Sequence, residues 1–333
     1  ISHKLEKPEE AERWFRESLD YDPDNTETLF YCARLYEELG RWEDELWCYN
    51  RLIEIDPEQV IPWLKKGMLY LSRDDLPMAV SFFRMASRLD MDSHLPHLLL
   101  GLVYSTMDRH EEAITSLEKA VSLSDEPDIL IQYGRVLGAC NRYEDALDVF
   151  DSVLVERPDD ANAAEGYARS LYHLHRWDDL AAFCEREKAD DPDNPFWTTT
   201  LARVWGWHLS DVDKAVSLLY EWMNQHTGTQ IPLVLADLLV HAEQFDDARA
   251  LLSALLKSKP QDYQVLFRYA SLLAQIKEYA SAAEQFELLV DLKPADGHLA
   301  YLAGQACEQS GDPDRALEFF TRAVTSIPDS AEI

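Results

Sequence analysis

The segment Pro127–Pro158 reads PDILIQYGRVLGACNRYEDALDVFDSVLVERP. Its first half carries Gly134 and, three residues on, Leu137; its second half carries Ala146, Phe150 and Val153, at spacings of four and three. Such spacings keep each set on one face of an α-helix. A polar break, Cys140-Asn141-Arg142-Tyr143, separates the halves, and the segment closes on Pro158, a residue that cannot continue a helix. The segment is therefore predicted to be two helices with buried stripes, joined by a tight turn.

Outward from this segment the same pattern recurs. The closing position is filled by Pro23, Pro57, Met91, Asp125, Pro158, Pro192, His226, Pro260, Pro294 and Pro328; eight of the nine intervals are 34 residues and one is 33. Twelve residues before most of these marks stands an alanine (Ala11, Ala79, Ala113, Ala146, Ala248, Ala282, Ala316), and eight before stands a large residue such as Phe15, Tyr49, Phe83, Leu117, Phe150, Phe286 or Phe320. The earlier helix of each copy has its own small position (Gly67, Gly101, Gly134, Gly304; Ala33, Ala168, Ala202, Ala236, Ala270). Small positions let two backbones approach and large ones fill the space between them. A fixed period in this range marks a stacked repeat array. Such an array offers a long surface rather than a ready-made catalytic cleft.

These residues and this period resemble the tetratricopeptide repeat, most closely over residues 26–57, 127–158 and 263–294, and the resemblance covers nearly the whole chain. It implies an all-α, right-handed superhelical solenoid of antiparallel helix pairs, about nine repeats after an N-terminal half repeat. The first helix of each pair would line a concave groove and the second would face outward. Three stretches are expected: an N-terminal array over 1–194 (the half repeat plus five), an irregular repeat over 195–232, and a C-terminal array of three repeats over 233–333. In the irregular repeat the small residue shifts by one, to Ala215, its companions shift to Leu219 and Trp222, and Gly228 and Pro232 follow His226. Gly and Pro in that connection suggest a bend or loosened joint.

Composition narrows the partners. Lys and Arg number 31 against 62 Asp and Glu, a formal net charge of -31. Nucleic acid and anionic membrane surfaces call for a basic footprint, so neither is expected as a partner. Protein partners remain, and the charge also serves to keep an open array in solution. The five cysteines (Cys32, Cys48, Cys140, Cys184, Cys307) are scattered singly, which suits a reducing, cytoplasmic setting. A periplasmic home stays open, because the chain starts at Ile1 and a processed start would hide a targeting segment. No apolar run approaches the ~18 residues of a membrane helix. The half repeat at Pro8–Pro23 lacks its first helix, and five residues follow Pro328, so a piece of a longer protein is expected.

Signs of catalysis or of a metal site are sparse. No phosphate-binding glycine loop and no GxSxG elbow is present. Ser116-Leu-Glu-Lys119 matches SxxK but stands on an amphipathic second helix with no companion motif; His94/His97 and His173/His175 lack a cysteine or HExxH context. The reading is a non-enzymatic chain with no cofactor and no metal.

The groove positions carry more. One first-helix position runs Arg34, Met68, Leu102, Arg135, Arg169, Arg203, Asp237, Ser271, Gln305, so three consecutive repeats present arginine in an acidic chain. About 10 Å apart, Arg135, Arg169 and Arg203 could grip acidic groups of an extended peptide. The alternative is that each pairs internally, with Glu165 or Asp128 for example. Repeats two and three offer Ile61, Leu64, Met68, Leu71, Leu95, Leu98 and Leu102, a seat for an apolar peptide or amphipathic helix. Tyr172, His173, Phe196 and Trp207 stand beside the arginines, and aromatic-plus-arginine is the composition of interface hot spots. Within the tetratricopeptide family some members clamp acidic chaperone tails with Lys, Asn and Arg; Ile131 and Arg135 stand where that set would need Lys and Asn, so a chaperone-tail co-receptor is not expected. The expected role is a scaffold or chaperone-like adaptor binding a partner polypeptide with acidic and apolar side chains. The alternative is the recognition arm of a larger enzyme, since glycosyltransferases and other modifying enzymes carry such arrays.

Overall fold

A computed structural model describes residues 8–326; the closing mark Pro328 lies outside the described residues. The described residues form helices joined by short turns, in two compact units, residues 1–175 and 176–333. The first unit opens on α1 (Pro8–Tyr21) and continues in pairs: α2 (Thr26–Glu38) with α3 (Trp42–Ile55), α4 (Val60–Ser72) with α5 (Leu76–Leu89), α6 (His94–Thr106) with α7 (His110–Leu123), and α8 (Pro127–Ala139) with α9 (Tyr143–Glu156). It ends on α10 (Ala161–His173). The second unit holds α11 (Trp177–Asp190), α12 (Pro195–Arg203), α13 (Val212–Gln225), α14 (Gln230–His241), α15 (Phe245–Ser258), α16 (Tyr263–Gln275), α17 (Tyr279–Leu292), α18 (Gly297–Ser310) and α19 (Pro313–Ser326). The all-helical, paired architecture is the one the period implies. The units divide at His175/Arg176, and residues 195–232 lie in the second unit.

The repeat pattern explains the local geometry. Two residues after the closing proline a polar side chain starts the next first helix: Asn25 accepts from the Thr28 amide at 2.9 Å, Asp160 from Ala163 at 3.1 Å and Asn194 from Phe196 at 3.0 Å. These side chains satisfy amides that the helix start leaves without a partner. At the turn inside each pair one residue adopts a left-handed conformation: Gly40, Asp74, Asp108, Asn141, His175, Ser210, Glu243, Lys277 and Gly311, with φ between 55° and 85°. An amide three residues past the helix folds back onto a carbonyl five earlier, as in Arg142 N to Leu137 O at 2.9 Å and Gln244 N to Leu239 O at 2.8 Å. That closure is the left-handed helix cap.

Small and large positions meet as the pattern requires. A Cβ on Gly67 would stand 2.5 Å from the Phe83 ring, and one on Gly134 would stand 2.8 Å from the Phe150 ring. Phe83, Leu117, Phe150 and their alanine neighbours form the core of the first unit, while Phe286, Leu289 and Phe319 anchor that of the second. Ion pairs tie successive repeats at their edges, among them Arg41 with Glu12 at 3.0 Å and Arg249 with Glu278 at 2.6 Å, while Arg157 with Asp128 at 3.0 Å ties the two ends of one repeat. Exposed pairs of this kind are screened by solvent and contribute little. The apolar layers therefore supply most of the stability.

The irregular repeat has a defined cause. Thirteen residues separate Ala202 from Ala215, where Gly134 and Ala146 are twelve apart. The extra residue is absorbed in a π-turn over Val204–His208, where the Leu209 amide reaches the Val204 carbonyl at 2.9 Å. The cap that follows is lengthened by the same residue, Asp211 N bonding Trp205 O, six back, at 2.8 Å. A single insertion within a helix commonly resolves this way. Lys214 Nζ lies 3.6 Å over the Trp205 ring, and Trp177 stacks on His208 at 3.7 Å, so the widened turn is packed.

Candidate partner-binding groove

In the first unit, α8 and α10 are neighbouring first helices, and α9 is the second helix lying behind them. Phe150 of α9 points its ring between Gly134 of α8 and Gly166 of α10, where added Cβ atoms would come within 2.8 and 2.3 Å of it. With the ring seated that deeply, the surface between the two first helices sinks into a cleft of about 440 Å³. Gly134, Gly138, Gly166 and Phe150 are among the residues that line it, together with Arg135, Arg169, Asn162, Glu165, Ser170, Tyr143 and His173. His173 stacks on Tyr143 with centroids 4.3 Å apart and planes 6° from parallel, and Tyr172 meets His173 edge-on at 5.8 Å.

The cleft is cationic. Arg135 donates from Nη2 to Asn162 Oδ1 at 2.7 Å, which orients its guanidinium without neutralising it. Arg169 lies 3.7 Å from Glu165, and its side chain is 71% exposed, so this i,i+4 pair holds it weakly. Asp128, the other acid that could have paired with Arg135, is bonded to Arg157. Among the described lining residues Glu165 is the one acid against two guanidinium groups.

The apolar positions divide. Leu64 is buried in the core of the first unit, against the expectation that it lines a groove; its neighbour one turn on, Met68, is 44% exposed. Leu71 and Leu98 are half-buried against the same core, and Leu102 is half-buried as well. The apolar surface that reaches solvent is Ile61 and Met68 on α4 and Leu95 on α6.

Arg203, Phe196 and Trp207 belong to the second unit. Arg203 is exposed, with its guanidinium 6.0 Å from the centre of the Trp207 ring, and Phe196 packs edge-on against buried Trp197 at 4.7 Å. This unit has its own cleft of about 360 Å³ beside Ala236, Asp237, Phe267, Arg268 and Ser271. There Arg268 donates Nε and Nη2 to the two carboxylate oxygens of Asp237 at 2.8 and 3.1 Å. The repeat-position reading missed Arg268, which is not at the ladder position; its only signal was the acid, Asp237, that is.

Elsewhere the titratable groups serve structure. Ser116 donates to the Glu112 carbonyl at 2.7 Å, a bond within its own helix. Burial pushes His97 below the ordinary histidine range, and burial also pulls the Lys66 ammonium down while Asn50 accepts from it at 2.7 Å. Among the described residues no cluster of three His, Cys, Asp or Glu could hold a metal ion, and no helix is long and apolar enough to cross a membrane.

Comparison with known proteins places the chain. Anaphase-promoting complex subunit 3 of Schizosaccharomyces pombe is 25% identical over 178 residues, which are 53% of this chain and 27% of that protein, so the chain spans about a quarter of this relative's length. A tetratricopeptide repeat protein from Parabacteroides merdae superposes with a TM-score of 0.53 at 15% identity, covering 70% of this chain and 93% of its own, a likeness of fold alone. PilF of Pseudomonas aeruginosa gives 0.46 at 18% identity, covering 65% of this chain and 97% of its own. Family models described as tetratricopeptide repeat match residues 4–60, 132–195, 233–297 and 289–331, and a second such model matches 96–127. With most of its length matched and its helices paired as the period requires, this chain belongs to the tetratricopeptide repeat family.

Proposed function

We propose that this chain is a non-enzymatic binding module that holds a segment of a partner polypeptide along the first helices of its N-terminal unit. It would act as a scaffold or chaperone-like adaptor within a larger assembly. The observation that carries the reading is the cleft between α8 and α10, where Arg135 and Arg169 face solvent and Glu165, beside Arg169, is the one acid among the described lining residues. In a chain of net charge -31, two guanidinium groups with spare hydrogen-bonding capacity are a place for carboxylates from outside. The stacked His173 and Tyr143 add a rigid aromatic wall, and desolvated aromatic–arginine pairs are where interfaces concentrate their affinity. Family membership supports a protein-binding role, and the fission-yeast relative is by name a subunit of a multiprotein complex. Four of the five thiols are buried and all are unpaired, which fits the cytoplasm.

The test compares wild type with an Arg135→Glu/Arg169→Glu variant in crosslinked capture from native extract, with helix content and melting followed alongside. A partner retained by wild type and lost by the folded variant supports the groove. Identical captures by both would mean that the arginines hold no partner.

A further inference from the structure

Four consecutive first helices of the first unit present one repeat position to the groove: Met68 on α4, Leu102 on α6, Arg135 on α8 and Arg169 on α10. Two turns earlier on the first two of these helices stand Ile61 and Leu95, 55% and 40% exposed. The corresponding places on α8 and α10 are taken by Asp128, already bonded to Arg157, and Asn162, which accepts from Arg135. Over these four helices the groove changes character once, from apolar over α4 and α6 to cationic over α8 and α10; on the far side of the apolar half the same position is Arg34 of α2, which lies 3.5 Å from Glu38 of its own helix. A uniform ligand would leave one half unmatched. An apolar segment would strand the guanidinium groups, and an acidic one would lay charge on Met68 and Ile61.

The spacing follows from the repeat. The middle of the apolar half and the middle of the cationic half are two repeats apart, and neighbouring helices pack about 10 Å apart, so the two centres are separated by about 20 Å. An extended chain advances about 3.3 Å per residue and covers that distance in about six residues. An extended occupant is the form that reaches both halves with few residues, laying its acidic end in the cleft of about 440 Å³ between α8 and α10.

Resting on the groove reading above, we propose that the first unit recognises one extended polypeptide segment carrying an apolar side chain and, about six residues away, an acidic one. The two contacts are then intramolecular to each other, and a spacer that lets both form at once raises affinity through effective concentration. Neither half alone defines the partner.

The experiment uses the full chain and fluorescently labelled synthetic peptides with a Leu-Leu pair and a Glu-Glu pair. Gly-Ser spacers set the inner Leu and the inner Glu about two or about six residues apart, and binding is read by anisotropy. The six-residue peptide is expected to bind about tenfold more tightly than the two-residue one. Met68→Ser, or Arg135→Gln with Arg169→Gln, should each erase that difference. The Arg135→Glu/Arg169→Glu variant should instead prefer the six-residue peptide with Lys-Lys in place of Glu-Glu, an outcome that a merely unfolded variant cannot give. Equal affinity for both spacers, with binding still dependent on the two arginines, overturns the spacing proposal and leaves the groove reading standing. Binding indifferent to the arginines and to Met68 overturns both.

Discussion

Replacing Gly166 by alanine should destabilise the protein, opposite to the sign that helix propensity gives. Gly166 is in the middle of α10, where exchanging glycine for alanine ordinarily gains about 1 kcal/mol. A Cβ there falls 2.3 Å from Phe150 Cζ and 2.5 and 2.6 Å from the two Cε atoms. Carbon atoms in contact sit about 3.5 Å apart or more, so the ring would have to retreat by more than ~1 Å. It has no room: Phe150 is 2% exposed, and a Cβ on Gly134 would already be 2.8 Å from the ring. Overpacking of this kind costs about 1–3 kcal/mol, which leaves a net loss of up to about 2 kcal/mol. Gly138→Ala is the matched control, because nothing lies within 4 Å of its Cβ and it should gain up to about 1 kcal/mol. The assay is urea unfolding followed by far-ultraviolet circular dichroism on Gly138→Ala, Gly166→Ala, Phe150→Leu and the Gly166→Ala/Phe150→Leu double variant. Leucine withdraws the ring tip, so the double variant should recover at least about 1 kcal/mol over the sum of the singles. A Gly166→Ala midpoint that rises as the Gly138→Ala midpoint does, or single effects that simply add, would refute the packing of Phe150 between the two glycines.

Two further outcomes are expected of the second unit. Lys277 and Glu243 hold φ of 66° and 60° at their turns, so Lys277→Gly and Glu243→Gly should each stabilise by about 0.5–1 kcal/mol in the same urea assay, less the entropy glycine adds to the unfolded chain. At His226 both ring nitrogens face acceptors, Nε2 at 2.9 Å from Asp193 Oδ1 and Nδ1 at 3.2 Å from the Trp222 carbonyl oxygen, and only the imidazolium donates to both. The Asp193 bond, more than any other contact, raises this histidine above its ordinary range. Its contribution to stability is therefore complete below about pH 6.5 and is lost as pH rises through the raised folded value. His226→Gln should remove that step from the pH profile of the unfolding midpoint.

Much of the fold was legible because the repeat writes the same contact many times. The pairing of Gly134 with Phe150 recurs as Gly67 with Phe83 and Gly304 with Phe320, so the face of each helix could be read from spacing. What one repeat does to the next was less legible. That Phe150 also meets Gly166 depends on how α10 seats against α9, which no spacing within a single copy encodes. The apolar stripe shows the same limit. Leu64 and Met68 are one turn apart and similar in character, yet one is 9% and the other 44% exposed, because a wide apolar face contains both core and groove margin. The shift from Ala202 to Ala215 was visible as an irregularity, and Gly228 and Pro232 drew attention to the later connection. The adjustment lies earlier, in the π-turn at Val204–His208, since an extra residue is accommodated where the backbone bonds can be re-spaced.

One repeat position carries opposite charges in different repeats, with different electrostatic consequences. Arg135, Arg169, Arg203 and Asp237 occupy the same place in successive repeats. Where that place holds aspartate, Arg268 of the next first helix grips both of its oxygens, a bidentate geometry that fixes the guanidinium and spends its charge within the protein. A carboxylate arriving from outside would have to displace Asp237 and leave it facing the same cleft, so the cleft beside α14 and α16 would discriminate against acids. In the first unit the place holds arginine in two neighbouring helices, and what meets them is a neutral amide, Asn162, and one loosely held acid, Glu165. On the proposed reading, acceptance of an acidic segment would be a property of that register rather than of the repeat fold or of the overall charge.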